Sequence, residues 1–141
     1  MDKQLDFLVI DDEPIARTVM EGLLEVFGRE KGVDVSVTLA EDGKVGLREY
    51  FKKSEEGHPY DCVFTDLNMP GIDGADVTKA IKQVSIGKTP VYIITADEET
   101  VTYDNLKAKL GSMAPDDIIL KPFSDQKLEK VFDKIMGYSQ D

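Results

Sequence analysis

The sequence predicts an α/β domain of the doubly wound kind, with a five-stranded parallel sheet covered by helices on both faces. Three observations lead there. Five short apolar runs alternate with five segments of helical period, and no Pro/Gly/Ser linker, internal repeat or low-complexity block interrupts them. The runs are rich in branched residues and too short for buried helices, as expected of strands covered on both faces. The 141 residues fit one domain, which at this size buries roughly two thirds of its unfolded surface.

The first run, Leu5-Asp6-Phe7-Leu8-Val9-Ile10, stops at Asp11-Asp12-Glu13-Pro14. Pro14 sits where the first turn of a helix tolerates it, since its missing N–H would lack a partner there anyway. Ala16, Val19, Met20, Leu23 and Phe27 then follow helical spacing, with an end expected near Gly28 and Gly32. Val33, Val35 and Val37 predict a second strand, and Leu47, Tyr50 and Phe51 a second helix with Asp42 as its N-cap. Cys62 to Thr65 form a third strand ending at Asp66. Val77, Ala80, Ile81 and Val84 mark one face of a third helix, and Val91 to Ile94 a fourth strand ending at Thr95. The fourth helix falls within Glu98 to Leu110, where Tyr103, Leu106 and Leu110 give only a thin stripe. Ile118 to Leu120 form the fifth strand, ending at Lys121. Ser124 opens a last helix carrying Leu128, Val131, Phe132 and Ile135. Strict alternation of this kind requires right-handed crossovers and a parallel sheet.

Composition excludes several functions. The longest apolar runs are a few residues, far below the roughly 20 of a membrane span, and the first residues lack the basic and apolar regions of a secretory signal. One cysteine, Cys62, rules out an internal disulfide framework and fits the reducing cytoplasm; with His58 as the lone histidine, a zinc site of His/Cys spacing is excluded too. The net charge of −11 opposes direct binding to nucleic acid or to an anionic membrane, whose phosphates need a basic footprint.

Parallel sheets place their sites at the carboxyl ends of the strands. Here those ends carry Asp11, Asp12, Asp66, Thr95 and Lys121. Each acid alone reads as a helix cap or turn former. Together they do not: two carboxylates about 5 Å apart at an effective dielectric of about 20 repel by roughly 3 kcal/mol, so three on one edge require protonation or a cation. Magnesium suits them, because it takes oxygen ligands from one or two carboxylates, water and phosphate. Asp11 and Asp12 supply one direct ligand and one holder of water, and Asp66 can bridge metal and substrate. A lysine and a hydroxyl opposite complete the parts for phosphoryl transfer to a carboxylate.

Phe7-Leu8-Val9-Ile10-Asp11-Asp12-Glu13-Pro14, the stretch from Tyr60 through Asp66-Leu67-Asn68-Met69-Pro70-Gly71 to Gly74, Ile94-Thr95-Ala96 and Leu120-Lys121-Pro122-Phe123 resemble, in order, the receiver domain of two-component response regulators. Ala40-Glu41-Asp42-Gly43 is similar to the family's turn before its second helix. The likeness runs from about residue 5 to residue 136 and implies a single receiver domain over residues 1–141. It implies a flavodoxin-like three-layer (βα)5 sandwich with strand order 2-1-3-4-5, of the stand-alone chemotaxis type. Asp66 would be the phosphoacceptor, supplied by a histidine kinase or phosphotransfer protein. Asp12 would ligate Mg2+ directly and Asp11 mainly through water, with Asp66 and the backbone carbonyl of Asn68 completing the protein's share. Thr95 would be the switch hydroxyl and Lys121 the phosphoryl-binding amine. The peptide bond before Pro122 would be cis. The chain would not be an enzyme beyond its own phosphorylation and dephosphorylation. It would signal to a separate, unidentified downstream protein through the fourth helix, fifth strand and fifth helix (the face through which receivers also dimerise), pass the phosphoryl group onward, or be a fragment of a longer protein.

Two departures stand out. Ile118 occupies the place of the family's usual aromatic three residues before the lysine, with Tyr92 and Tyr103 as alternatives that plain packing explains better. The loop from Met113 to Asp117 has Pro115 where the family favours glycine. Two rival functions fit the residues less well. A haloacid-dehalogenase-type phosphatase expects an Asp-x-Asp nucleophile motif after the first strand, which Asp11-Asp12-Glu13 does not supply. A receiver-like module that is never phosphorylated should have lost some of the five site residues. His58 reads as loop, Cys62 and the methionines at helical spacing as core, and Lys52, Lys53, Lys107 and Lys109 as solvated, the last two on the segment with which receivers meet partners; Asp97 and Asn68 flank the site.

Overall fold

The computed structural model describes residues 4–122 and 124–137; Phe123, the last residue of the Lys-Pro-Phe motif, lies outside them. The elements follow the predicted alternation: β1 (Gln4–Ile10), α1 (Pro14–Lys31), β2 (Asp34–Ala40), α2 (Gly43–Glu55), β3 (Cys62–Asp66), α3 (Gly74–Ser85), β4 (Val91–Thr95), α4 (Glu99–Leu110), a 3-10 turn (Gly111–Met113), β5 (Asp117–Leu120) and α5 (Asp125–Met136). All strand pairs are parallel and the order is β2-β1-β3-β4-β5. No helix among the described residues is long and apolar enough to cross a membrane.

The strands read out their period of two. Leu5, Phe7 and Val9 of β1, Cys62 and Phe64 of β3, and Tyr92 and Ile94 of β4 face α1 and α5. The alternate residues Leu8, Ile10, Val63 and Val91 face α2 and α3. Phe132 of α5 packs on Phe7 at 5.6 Å and on Phe27 at 5.8 Å between ring centres, joining the first and last helices to β1. Lys31 ties the same helices, 2.9 Å from both Glu129 and Asp133. A third cluster, Ala75, Ile93, Leu106 and Ile118, seats α4. Ile118 is fully buried there as an aliphatic packing residue. Tyr92 is buried against Phe64, and Tyr103 is half-buried beside the α4 cluster.

Three expectations need correction. Gly28 does not end α1: it lies inside the helix because β2 crosses it closely, and a Cβ there would stand 2.8 Å from the Val33 carbonyl oxygen. The helix ends at Gly32, in the left-handed region with φ 69°. Val19 and Val84, expected on core faces, are about half exposed; Leu24 takes the inward position on α1. Lys53 is more than a solvated charge, standing 3.3 Å from Asp6 and over the Tyr60 ring.

The amino end of the sheet closes around a buried polar group. Lys82 of α3 is 4% exposed, and its ammonium donates to the Thr89 carbonyl (2.8 Å) and to Asp116 (2.6 Å). Asp116 also accepts from the Val91 N–H (2.7 Å), and the hydroxyls of Tyr50 and Thr89 are hydrogen-bonded at 2.6 Å. Lys82→Ala, which strips a buried carbonyl and a half-exposed carboxylate of their partner, is expected to lower unfolding free energy by about 2 kcal/mol, read by urea denaturation. Ile86 works the other way. It is 84% exposed and adopts φ 54°, a conformation that disfavours a β-branched residue. Ile86→Asn is expected to gain about 1 kcal/mol, seen as a higher Tm.

Candidate functional site

Strand register builds the site. Ile10 pairs with Thr65, so Asp11, the next residue, comes level with Asp66. Asp66 pairs with Ile94, putting Thr95 one residue beyond it, and Thr95 pairs with Leu120, putting Lys121 one further still. Backbone bonds carry the ladder past the strand ends: Asp11 N–H to the Ala40 carbonyl (3.1 Å), Leu67 N–H to Ile94 (3.3 Å) and Lys121 N–H to Thr95 (2.7 Å). Because β1, β3, β4 and β5 carry buried side chains on both faces, none of them can slip by one residue without disrupting the core.

Asp11, Asp12 and Asp66 each offer a carboxylate oxygen, all within 4.8 Å of one another. Asp11 and Asp66 are buried and Asp12 is exposed. Lys121 reaches across them, its Nζ 3.5 Å from Asp11 Oδ2, 3.7 Å from Asp66 Oδ1 and 3.8 Å from Glu13 Oε1. One ammonium thus faces several carboxylates, all beyond hydrogen-bond range, which leaves the group short of positive charge. Three hard oxygen donors in so small a space are a donor set able to bind a divalent metal ion. Burial pushes the Asp66 carboxyl up to about 6; Lys121 opposes the rise, Asp11 and Asp12 add to it, and the Leu67 N–H opposes it.

The turn after β3 is shaped by close backbone contact. A Cβ on residue 74 would collide with the Asp66 carbonyl and stand 2.8 Å from the Leu67 Cα, so α3 can start beneath Asp66 only with glycine there. Asp73 caps that helix, accepting from the Asp76 N–H at 2.9 Å. Thr95 is buried, and its hydroxyl accepts from the Asp97 N–H (3.1 Å). Asn68, in the loop after β3, donates its side-chain amide to Asp97 (3.4 Å). The peptide bond between Lys121 and Pro122 is cis.

The structure therefore gathers Asp11, Asp12, Asp66 and Lys121 into one group, with Thr95 at the next strand end and Asn68 on the rim. Sequence reading passed over Glu13, a second carboxylate beside Lys121, and Arg17, whose guanidinium reaches the loop carrying both adjacent acids. Only their place within two turns after the acidic pair hinted at either. Beside the site a groove of about 650 Å3 runs along α1, its lining including Ile15, Ala16, Val19, Leu23, Ile94 and Pro122. Ile15 (79%) and Val19 (49%) stand well exposed along it.

Residues 7–133 match the family model described as the response regulator receiver domain. Response regulator ArlR of Staphylococcus epidermidis is 34% identical over 123 residues, 87% of this chain and 48% of that protein. The 3',5'-cyclic-nucleotide phosphodiesterase regA of Dictyostelium discoideum is 29% identical over 130 residues, 92% of this chain and 15% of that protein. The chain thus spans less than half the length of these curated relatives. Among solved structures, a response regulator receiver domain protein from Clostridium thermocellum superposes with a TM-score of 0.76 at 24% identity, covering 96% of this chain and 97% of that one. The receiver domain of the histidine kinase CKI1 from Arabidopsis thaliana, complexed with Mg2+ and BeF3-, does so at 0.71 and 26%, covering 94% and 90%.

The raised Asp66 carboxyl makes stability depend on pH. Its folded value of about 6 lies above the ordinary 3.8, so between them the folded chain holds a proton that the unfolded chain has shed. The stability linked to that proton is complete below the ordinary value and is lost as pH rises through about 6. In metal-free buffer, Asp66→Asn is therefore expected to be more stable than the parent above about pH 7, by about 2 kcal/mol. The gap should shrink as pH falls towards the ordinary carboxyl value. Denaturation in EDTA across that range checks it; equal stability above pH 7 would mean that Lys121 neutralises the cluster unaided.

Proposed function

The chain belongs to the response regulator receiver family, and from that premise we propose that it is a phosphorylation-controlled binding module in which Asp66 accepts a phosphoryl group from a histidine kinase or phosphotransfer protein. Receiver domains are signalling modules rather than enzymes, and the chemistry proposed here is confined to the chain's own Asp66. The observation that carries the reading is the cluster itself: three carboxylates within 4.8 Å and a single lysine spanning them. An acidic group this crowded has no structural task that one capping aspartate would not perform.

A divalent cation, Mg2+ in this proposal, would be held by Asp12, by Asp11 through water, by Asp66 and by the backbone carbonyl of Asn68. When bound it neutralises carboxylate and phosphoryl charge and lets the two approach. A relative 26% identical to this chain was solved with Mg2+ and BeF3-, which supports that choice of ion. The remaining steps belong to the chain. An Asp66 carboxylate oxygen attacks phosphorus in line, the phosphorus–nitrogen bond of the donor's phosphohistidine breaks, and the imidazole, already protonated on its other ring nitrogen, leaves as the neutral base. An acyl phosphate forms on Asp66. Lys121, close to Asp66 already, turns its ammonium to a phosphoryl oxygen, and Thr95 turns its hydroxyl to another. Hydrolysis reverses the state when water attacks phosphorus and Asp66 leaves as carboxylate; Asn68 and Asp97 border the path of that water.

Turning the Thr95 hydroxyl releases the Asp97 N–H that it now accepts from, and with it the loop leading into α4. Among the described side chains of α4 only Thr102 and Leu106 are buried, so this helix has the least packing to lose. The proposed output is a change in the face formed by α4, β5 and α5, read by a separate downstream protein or by a second copy. Direct contact with nucleic acid or membrane is not part of the proposal, given the net charge of −11, and the setting proposed is the cytoplasm. The donor would cover the exposed apolar flank of α1 at Ile15 and Val19 while it presents its imidazole to Asp66. The boundaries proposed are those of one receiver domain, with its core at residues 5–136.

Intact mass after incubation with acetyl phosphate tests the chemistry. One added phosphoryl group of about 80 Da is expected, requiring Mg2+ and absent from Asp66→Asn. If neither an adduct nor a beryllofluoride-induced shift in the amide spectrum is seen, the phosphorylation reading fails.

A further inference from the structure

All four polar groups of Asp11 are engaged. Its N–H donates to the Ala40 carbonyl (3.1 Å), and its Oδ1 accepts from the Glu13 N–H (2.9 Å). Its Oδ2 faces Lys121 at 3.5 Å. Its carbonyl accepts from Arg17 Nη1 at 2.6 Å. That carbonyl belongs to the peptide plane joining Asp11 to Asp12, so whatever fixes the carbonyl also fixes where the Asp12 Cα, and therefore its carboxylate, stands relative to Asp11. Asp12 is exposed, so its position is inherited from its backbone rather than from packing. Besides the Glu13 N–H bond, which closes a turn over Asp12, the start of α1 offers little other restraint, since Glu13 at the N-cap makes no side-chain capping bond and Pro14 has no N–H to donate.

We propose that Arg17 is a positioning residue for cation binding, holding the Asp11–Asp12 peptide plane so that both carboxylates present to one ion. The proposal rests on the receiver reading above, in which these acids hold Mg2+. A guanidinium this close has two effects of opposite sign. Its charge alone repels a divalent cation, so removing it should tighten binding. Its grip on the carbonyl keeps the acids arranged for the ion, so removing it should loosen binding. Groups that orient metal ligands from behind typically change affinity 10–100-fold when lost. Screening by solvent weakens the charge effect, because Arg17 is only half-buried. The geometric effect wins.

Calorimetric titration of the full chain with MgCl2 at neutral pH tests this. Arg17→Ala is expected to bind Mg2+ about tenfold more weakly, with Arg17→Lys between it and the parent, since lysine keeps the charge but not the planar fork of donors. Melting in EDTA fixes a temperature at which each protein is folded, which separates lost affinity from lost fold. Unchanged or tighter binding by Arg17→Ala overturns the proposal and leaves Arg17 a counter-charge. Should Arg17→Ala not fold, Arg17→Lys decides, with a loss of about threefold expected and unchanged affinity overturning it. A parent chain that binds no Mg2+ refutes the cation site itself, an outcome distinct from the failure of Arg17 to affect it.

Discussion

The repulsion among Asp11, Asp12 and Asp66 is the constraint on which the rest of the structure depends. Left in water, these acids would separate. They are instead held within 4.8 Å because β1 and β3 are locked in register by side chains buried on both faces, Leu8 and Ile10 on one and Phe7 and Val9 on the other. Hydrophobic burial of several residues at about 1.5–3 kcal/mol each readily outweighs a repulsion of a few kcal/mol. The core therefore imposes the site, and the site returns some of the core's stability as electrostatic strain. Under the proposed scheme, a cation or a phosphoryl–lysine contact would relieve that strain.

The two ends of the sheet show the difference between an ion pair that closes a structure and one that leaves it open. At the amino end Lys82 meets Asp116 at 2.6 Å and Thr89 at 2.8 Å, one cation with an acid and a carbonyl at hydrogen-bond distance. At the carboxyl end Lys121 stands 3.5–3.8 Å from three carboxylates and bonds none of them tightly. Both lysines follow from the same alternation of strand and helix, yet one is sealed and the other only about three-quarters covered. Rigidity at the amino end and unspent charge at the carboxyl end confine rearrangement to the latter.

Most of this was legible in the sequence, for a physical reason. Strands covered on both faces must be continuous apolar runs, so the polar residue that ends each run is conspicuous. Asp11, Asp66, Thr95 and Lys121 were found in that way, and capping by Asp42 and Ser124 followed from residue type and the helix start alone. What was not legible depends on three-dimensional approach. Gly28 looked like a stop signal because only the path of β2 over α1 reveals why a helix interior needs glycine there. Val19 sits on the apolar arc of α1, but that arc overhangs the edge of the core, so spacing could not separate it from its buried neighbour Met20. Arg17 and Glu13 had no periodic signature, since each acts through the length of its side chain. Nothing in the sequence marks Lys82, because its partner Asp116 lies 34 positions on and comes beside it only in the fold.

The replacement of the usual aromatic by Ile118 bears on how a phosphoryl signal would leave the site. A large side chain on a strand edge can exchange an outward for an inward position and carry information by doing so. Ile118 has no such option: it is fully buried beneath α4 with Ala75, Ile93 and Leu106, and short branched side chains have few rotamers to exchange. Under the proposed scheme the signal must instead pass through the backbone. Thr95 offers that route, because its carbonyl holds the Lys121 N–H at 2.7 Å and its hydroxyl holds the Asp97 N–H at 3.1 Å. Thr95 is thus bonded to both segments that flank it, the loop into α4 and the turn out of β5. A pull on its hydroxyl loosens the first while the second stays tied to the strand. The element that moves is then α4, sliding over a fixed Ile118, and the receptor for that movement must read the helix and not an aromatic side chain.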